Sequence, residues 1–259
     1  MRKTDFSFLP QNKKIIYEQM ARIYREQAPF RNVVWTPFQK KLVNSTIVLI
    51  SVAGVYLKGD KPFTVEDIPE NYEYRVIPAR TKGDKLAYIN IDWEDSEARE
   101  DINVVCPIER LVLLQKEGFV GKIFENVYSF CGFNERRDLL EKSTKRMIRE
   151  LKKAKVDGAI IIPVSATTGE TANIIARMVE ESEIPTSVLT LFYEQALKYS
   201  LGRCAFINFP FGRPFGKAGH ISLHTAILRD LLRILEKMKL VGEIINLNYV
   251  WSWGEIPDW

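Results

Sequence analysis

Between residues 158 and 240 the chain alternates short apolar runs with amphipathic helical patterns, and this alternation limits the folds open to it more than any other feature. The runs GAIIIPV, TSVLT and CAFINF are too short for helices and are rich in β-branched or aromatic residues. GETANIIARMVEES and the stretch from about Ser222 to Leu240 carry helical periodicity. Apolar strands separated by helices are what a parallel sheet covered on both faces requires. The run Ile47 to Val52, ending before Gly54, adds a first core strand of the same kind. The expected fold is an open, mostly parallel α/β sheet with helices on both faces, one layered domain that could subdivide.

The rest of the chain fits around that sheet. Ile16, Met20, Ile23 and Tyr24 predict an N-terminal helix stopped by Pro29. In YEYRVIPA, Pro78 cannot donate to a ladder, so a strand should end there and release residues 79–105 as a long connection of a kind that is commonly functional. Pro107 suits the first turn of a helix closed by Gly118. A second helix, from about Asp138 to Ala154, places Leu140, Thr144, Met147, Ile148 and Leu151 on one stripe, with its basic residues mainly elsewhere as solvated surface. The organisation expected is a helical segment over 1–40, an α/β body over 41–240 and an aromatic tail over 241–259. That tail holds three of the five Trp residues and should pack on the body or on a neighbouring subunit.

Thirty-seven Lys and Arg stand against 33 Asp and Glu, so the net charge of +4 is the remainder of a mixed surface and does not favour nucleic acid. The longest apolar stretch, Val43 to Leu57, is interrupted by polar residues and falls short of the roughly 20 residues that cross a bilayer. No membrane span is expected, and the early polar residues give no signal-like segment. Cys106, Cys131 and Cys204 lie far apart without a CxxC pair and read as free, buried thiols. A cytoplasmic location is expected.

Two segments are placed where ligands collect in open α/β sheets, beyond the carboxyl ends of strands. The first is Pro163 to Glu170, where Thr167 as N-cap with Glu170 at N3 would form a capping box. It would leave Ser165, Thr168 and the amides near Gly169 to hold an anion or a small polar molecule. The second is Asn208 to His220, with Gly212, Gly216 and Gly219 for close backbone approach and Arg213 and Lys217 to neutralise an anion. It lacks the GxxxxGK[ST] spacing of a P-loop. His220 and His224 are the only histidines. Without HExxH or a dense acidic supplement no metal site is expected, while His220 could serve as an acid or base. The acidic segment DWEDSEARED reads mostly as a solvated helix face, from which Asp95, Arg99, Glu100 and Asp101 could reach over the sheet edge.

Across VIPARTKGDKLAYINIDWEDSEAREDINVVCPIERLVLLQKEGFVGKIFENVYSFCGF, VDGAIIIPVSATTGETANIIARMVEESEIPTSVL and CAFINFPFGRPFGKAG, the chain resembles the selenoprotein B family of glycine, sarcosine, betaine and D-proline reductases, and most of all its short, D-proline-reductase-like branch. The resemblance implies a selenocysteine or cysteine directly after the PV of the strand ending at Val164, often with a second cysteine three positions on. Here those positions are Ser165 and Thr168. It also implies a selenolate or thiolate that attacks a substrate carbon and releases an amine or opens a ring. A serine hydroxyl offers no comparable soft anion near neutral pH and no dithiol state for two-electron exchange. Ser165 could still orient a substrate, and Cys131, in YSFCGF between glycine-containing connections, is the preferred alternative thiol.

These readings lead to a reductase-like protein that keeps a pocket for a small carboxylate or amino-acid derivative, with its redox chemistry altered or lost. The catalytic candidates are Ser165, His220 and Cys131. The ligand-binding candidates are Thr167, Thr168, Gly169, Asn208, Gly212, Arg213 and Lys217. A noncatalytic binding or scaffold subunit of a redox assembly is the alternative, and a Ser165/His220 hydrolase or lyase a third class. A redox protein partner and self-association stay open, and neither a cofactor nor an electron donor can be named.

Overall fold

A computed structural model of the chain describes residues 3–28, 32–66, 68–239 and 241–251. In chain order the elements are α1 (Gln11–Gln27), β1 (Thr46–Val52), β2 (Val55–Leu57), β3 (Arg75–Pro78), β4 (Leu86–Tyr88), α2 (Ser96–Glu100) and α3 (Ile108–Lys116). They continue with β5 (Lys122–Ile123), β6 (Asn126–Ser129), α4 (Arg137–Lys153), β7 (Gly158–Pro163), α5 (Ala166–Glu181), β8 (Thr186–Thr190), α6 (Tyr193–Tyr199), β9 (Cys204–Phe206), α7 (Ile221–Lys237) and β10 (Ile244–Asn246).

Among the described residues, eight strands form one sheet in the order β10-β9-β8-β7-β1-β6-β3, with β5 also paired to β1. Every pairing is parallel except β3 on β6, so the architecture is a mixed, largely parallel α/β sheet flanked by helices. Period-two alternation sorts its side chains. Ile47 and Leu49 of β1, with Ile160 and Ile162 of β7, face the cluster that includes Leu111 of α3 and Leu228 and Leu232 of α7. Val48, Ile50 and Val52, with Ala159 and Ile161, face Met147 of α4 and Ile175 and Val179 of α5. β2 and β4 form a separate antiparallel pair above the carboxyl end of β1.

The expected strands at Ile47–Val52 and at 158–164 lie side by side at the centre in six-residue register. Gly118 closes α3 at φ +71, and all five residues expected on the α4 stripe are buried. Several expectations need correction. A further helix, α6, stands between TSVLT and CAFINF, beyond the two helical stretches that the periodicity of 158–240 marks. The connection over 79–105 is not structureless, for it holds β4 and α2. Helix α1 buries a stripe of Tyr17, Met20, Ala21 and Tyr24 against the core, while Ile16 and Ile23 are 54% and 47% exposed. The apolar face is rotated from the one Ile16 and Ile23 suggest, because α6 offers a surface into which the aromatic residues fit. Pro29, Leu240, Trp253 and Trp259 lie outside the described residues. The tail through Trp251 packs on this same chain: Trp251 meets Phe209 edge-on at 5.5 Å.

After β1 the chain moves to β6 on one side of it, and after α4 it returns to β7 on the other. The connections leaving β1 and β7 therefore diverge at adjacent carboxyl ends, the position at which open α/β sheets form a ligand crevice. Ser165 is the second residue beyond the end of β7.

Candidate functional site at the carboxyl end of β7

The turn from β7 into α5 is built by two hydroxyls. Ser165 is the N-cap of α5: its Oγ accepts from Thr168 N at 3.3 Å, and Thr168 Oγ1 in turn accepts from Val164 N and Ser165 N, each at 2.8 Å. The capping box thus runs from Ser165 to Thr168, two residues before the expected Thr167/Glu170 pair. The cause is that the strand ends at Pro163 and the helix must begin at Ala166. Thr167 is half-buried on the first turn, and Glu170 accepts instead from the Tyr199 hydroxyl at 2.6 Å. Gly169 lets Gln195 close against α5, where its Nε2 donates to the Ala166 carbonyl at 2.9 Å. Gly132, at φ +107, lies so near Thr168 that an added Cβ would meet its Cγ2 at 2.8 Å. The end of β6 is thereby drawn against the same turn.

The remaining bond of Ser165 leaves the turn. Its Oγ donates at 2.8 Å to Asp92 Oδ1, a residue of the connection between β4 and α2, and Asp92 Oδ2 is buried without a hydrogen-bond partner. Asp92 lines a cleft of about 630 Å³ whose walls include Phe8, Lys13, Trp93, Phe211 and Arg213. Tyr17 stands beside it; burial, and then the charge of Asp92, pushes its phenol up to about 12. Phe211 meets Tyr17 and Phe8 edge-on, each at 5.3 Å, so an aromatic collar carried by the N-terminal arm and α1 closes one side.

The loop over 208–220 reaches the same region but is already engaged by acidic residues of this chain. Gly212, at φ +88, donates its N–H to the Val164 carbonyl at 2.7 Å, and a side chain there would collide with the Glu94 backbone. The Arg213 guanidinium pairs with Glu94, donates to Ser96 Oγ at 3.1 Å and lies 5.2 Å over the Trp251 ring. Ala218 N donates to Glu97 Oε2 at 2.7 Å and Gly219 N to Asp101 Oδ2 at 3.3 Å. Of the four residues expected to reach over from the acidic segment, Asp101 does so. Asp95 instead accepts from Tyr88 and pairs with Arg99. Asp92, Glu94 and Glu97 make the other crossings, and sequence reasoning missed them because their partners are remote in the chain.

The other candidates are placed differently. The side-chain carbonyl of Asn208 accepts from Asp5 N at 3.0 Å, tying down the N-terminal arm. The Lys217 carbonyl sits 2.7 Å from His224 Nε2. His220 begins α7 with its Nδ1 buried and without a partner, and neither histidine bonds Ser165. His224 is fully buried, and its pKa is lowered to about 4, chiefly by that burial, against the opposing pull of the Lys217 carbonyl and Asp101. Its Nδ1 accepts from Arg110 Nε at 3.4 Å, so Nε2 carries the proton toward Lys217. Burial raises Cys106 and Cys131 to about 12 and raises Cys204 as well, and all three are buried, unpaired thiols. Among the described residues no group of three or more His, Cys, Asp or Glu could hold a metal ion, and no helix is long and apolar enough to cross a membrane.

A profile of the glycine/sarcosine/betaine reductase selenoprotein B family matches residues 25–164, ending one position before Ser165. The chain belongs to this family. Among its curated relatives, the selenoprotein B family chain is similar to the D-proline reductase subunit gamma of Acetoanaerobium sticklandii. The identity is 28% over 217 residues, covering 83% of this chain and 88% of that subunit. It is also similar to the betaine reductase complex component B subunit beta of Peptoclostridium acidaminophilum, 27% identical over 148 residues, which are 56% of this chain and 33% of that subunit. No solved structure matches significantly.

Proposed function

We propose that this selenoprotein B family member binds a small amino-acid derivative in the cleft beside Ser165 and does not carry out the thiol or selenol reduction itself. The observation that carries the reading is the state of Asp92, a residue that lines the cleft: one carboxylate oxygen is held by Ser165, and the other is buried without a donor from this chain. Leaving a buried acceptor unsatisfied costs on the order of 1–3 kcal/mol, which an ammonium group would recover by supplying both a proton and a charge. Lys13, on the same cleft, is placed to meet a carboxylate, and Phe8, Trp93 and Phe211 offer apolar walls to an aliphatic body. Arg213 serves a structural part in this reading, since Glu94 already compensates its charge.

Two observations support the loss of reductive chemistry. None of the residues lining the cleft carries sulfur. The hydroxyls of Ser165 and Thr168 are spent on the turn and on Asp92. Both relatives are named as subunits, which supports a role as a binding component within a larger reductase-like assembly.

Titration calorimetry with D-proline and glycine, set beside carboxylates of equal size that lack the nitrogen, tests the reading. Binding should require the cationic nitrogen and weaken about tenfold or more in Asp92→Asn, as for a lost buried charge pair. Equal binding of the nitrogen-free acids would overturn it.

A further inference from the structure

One buried carboxylate holds both ends of an N-terminal segment. Glu194, in the first turn of α6, is 1% exposed. It accepts from Thr4 Oγ1 at 2.7 Å and pairs with Arg25 at 2.6 Å. Thr4 Oγ1 accepts in turn from Tyr193 N at 2.9 Å, and Asp5 N donates to Asn208 Oδ1 at 3.0 Å. Residues 4–25, the arm and most of α1, thus form a strap fastened at its two ends.

Between the fastenings the strap is held differently. Among the described residues, no hydrogen bond or ion pair joins residues 6–23 to anything beyond the arm and α1. Phe6 and Tyr17 meet Phe192, and Phe8 and Tyr17 meet Phe211, through their rings. Apolar contacts part and re-form without leaving a buried donor or acceptor unpaired.

The same stretch carries Phe8, Leu9, Pro10 and Lys13, one wall of the Asp92 cleft, and its Tyr17 stands beside Asp92. The other walls are cross-tied, Asp92 to Ser165, Gly212 to Val164 and Arg213 to Glu94. Asp92 Oδ2 is buried as the chain stands, so a ligand reaches it only if a wall moves. The strap is the wall with the fewest polar ties along its length. From Lys13 to Arg25 α1 runs about 18 Å, so a rotation of about 15° at Arg25 shifts Lys13 by about 5 Å.

We propose that the strap is the gate of the Asp92 cleft, with Thr4 and Asp5 as its latch and Arg25 as its hinge. When the latch releases, α1 swings on Arg25, the rings leave Phe192 and Phe211, and the cleft opens. Closure then shuts the ligand away from water. The gate rests on the reading of the cleft given above and adds what controls entry to it.

The test uses the full chain with Asp5→Cys/Asn208→Cys, two exposed positions that meet at the latch and do not line the cleft. The native thiols are buried, so mild oxidation joins the introduced pair alone. Ligand-observed NMR relaxation gives the rates at which D-proline enters and leaves. Oxidation should slow both at least about tenfold and leave Kd within about twofold, and dithiothreitol should restore them. Thr4→Val, which weakens the latch, should speed both severalfold at the same Kd. Equal rates in the oxidised and reduced forms would overturn the gate. So would a Kd that follows the exit rate while entry stays constant, which is the mark of a merely structural tie. If mass spectrometry shows that the disulfide does not form, unchanged rates in folded Thr4→Val overturn it. No binding of D-proline in any form overturns the reading of the cleft, and the gate with it.

Discussion

Ser165 Oγ donates a 2.8 Å hydrogen bond to Asp92 Oδ1 across a separation of 73 residues. The bond joins the N-cap of α5 to the connection that crosses above the carboxyl ends of β1 and β7. It places a carboxylate against the position where the resemblance implies a selenol or thiol. An anion there suits a hydroxyl donor, whereas a neighbouring carboxylate would raise the pKa of a thiol and suppress the thiolate.

The Thr168 hydroxyl should matter more to stability than to binding. It accepts from two buried amides, so Thr168→Val leaves Val164 N and Ser165 N unsatisfied together. Urea unfolding should show a loss on the order of 2–4 kcal/mol, restored largely by Thr168→Ser, which returns the acceptor. A loss equal in both variants would mean that the methyl packing, and not the hydroxyl, holds the turn.

The three thiols should be inert in the folded protein. Burial holds Cys106 and Cys131 near 12 and raises Cys204 too, so at pH 8 almost no thiolate exists to react with a disulfide reagent. Only unfolding should release all three. The unfolded thiols ionise near about 8.5 while the folded ones stay protonated. Their contribution to stability is therefore complete below that pH and lost as pH rises toward 12. Rapid labelling of Cys131 in the native protein would contradict this and revive it as a reactive centre.

His224 makes the fold sensitive to acid. Its pKa falls from 6.5 to about 4 in the folded chain, so its contribution is present above the unfolded value and lost as pH falls from 6.5 through 4. The fully buried ring implies a loss on the order of 3 kcal/mol over that window. His224→Gln should be less stable at pH 7 but show a flatter profile between pH 7 and pH 4 in urea titrations. An unchanged profile would place the acid sensitivity elsewhere.

What could be read in the amino-acid sequence was whatever depends on near neighbours. The β-branched runs of β1 and β7 and the stripe of α4 are local patterns, and each lies where its pattern put it. Helix α6 was missed because YEQALKY is short and mixed in polarity, and its burial comes from α1 and α5. The capping box was misplaced by two residues because Ser165, Thr167 and Thr168 are all competent caps, and only the end of β7 chooses among them. The family resemblance marked Ser165 and Thr168. Nothing in DWEDSEARED distinguishes Asp92 from its acidic neighbours, since its partner is brought to it by the sheet.

The most direct measurement is an assay of reductive turnover by the full chain, supplied with D-proline and excess dithiothreitol and scored for the ring-opened amine. The expected result is ligand binding by calorimetry with no product above the rate without protein. Product formed by the native chain and abolished in Ser165→Ala would contradict it, since the oxygen at this position would then be supporting the chemistry assigned to sulfur or selenium.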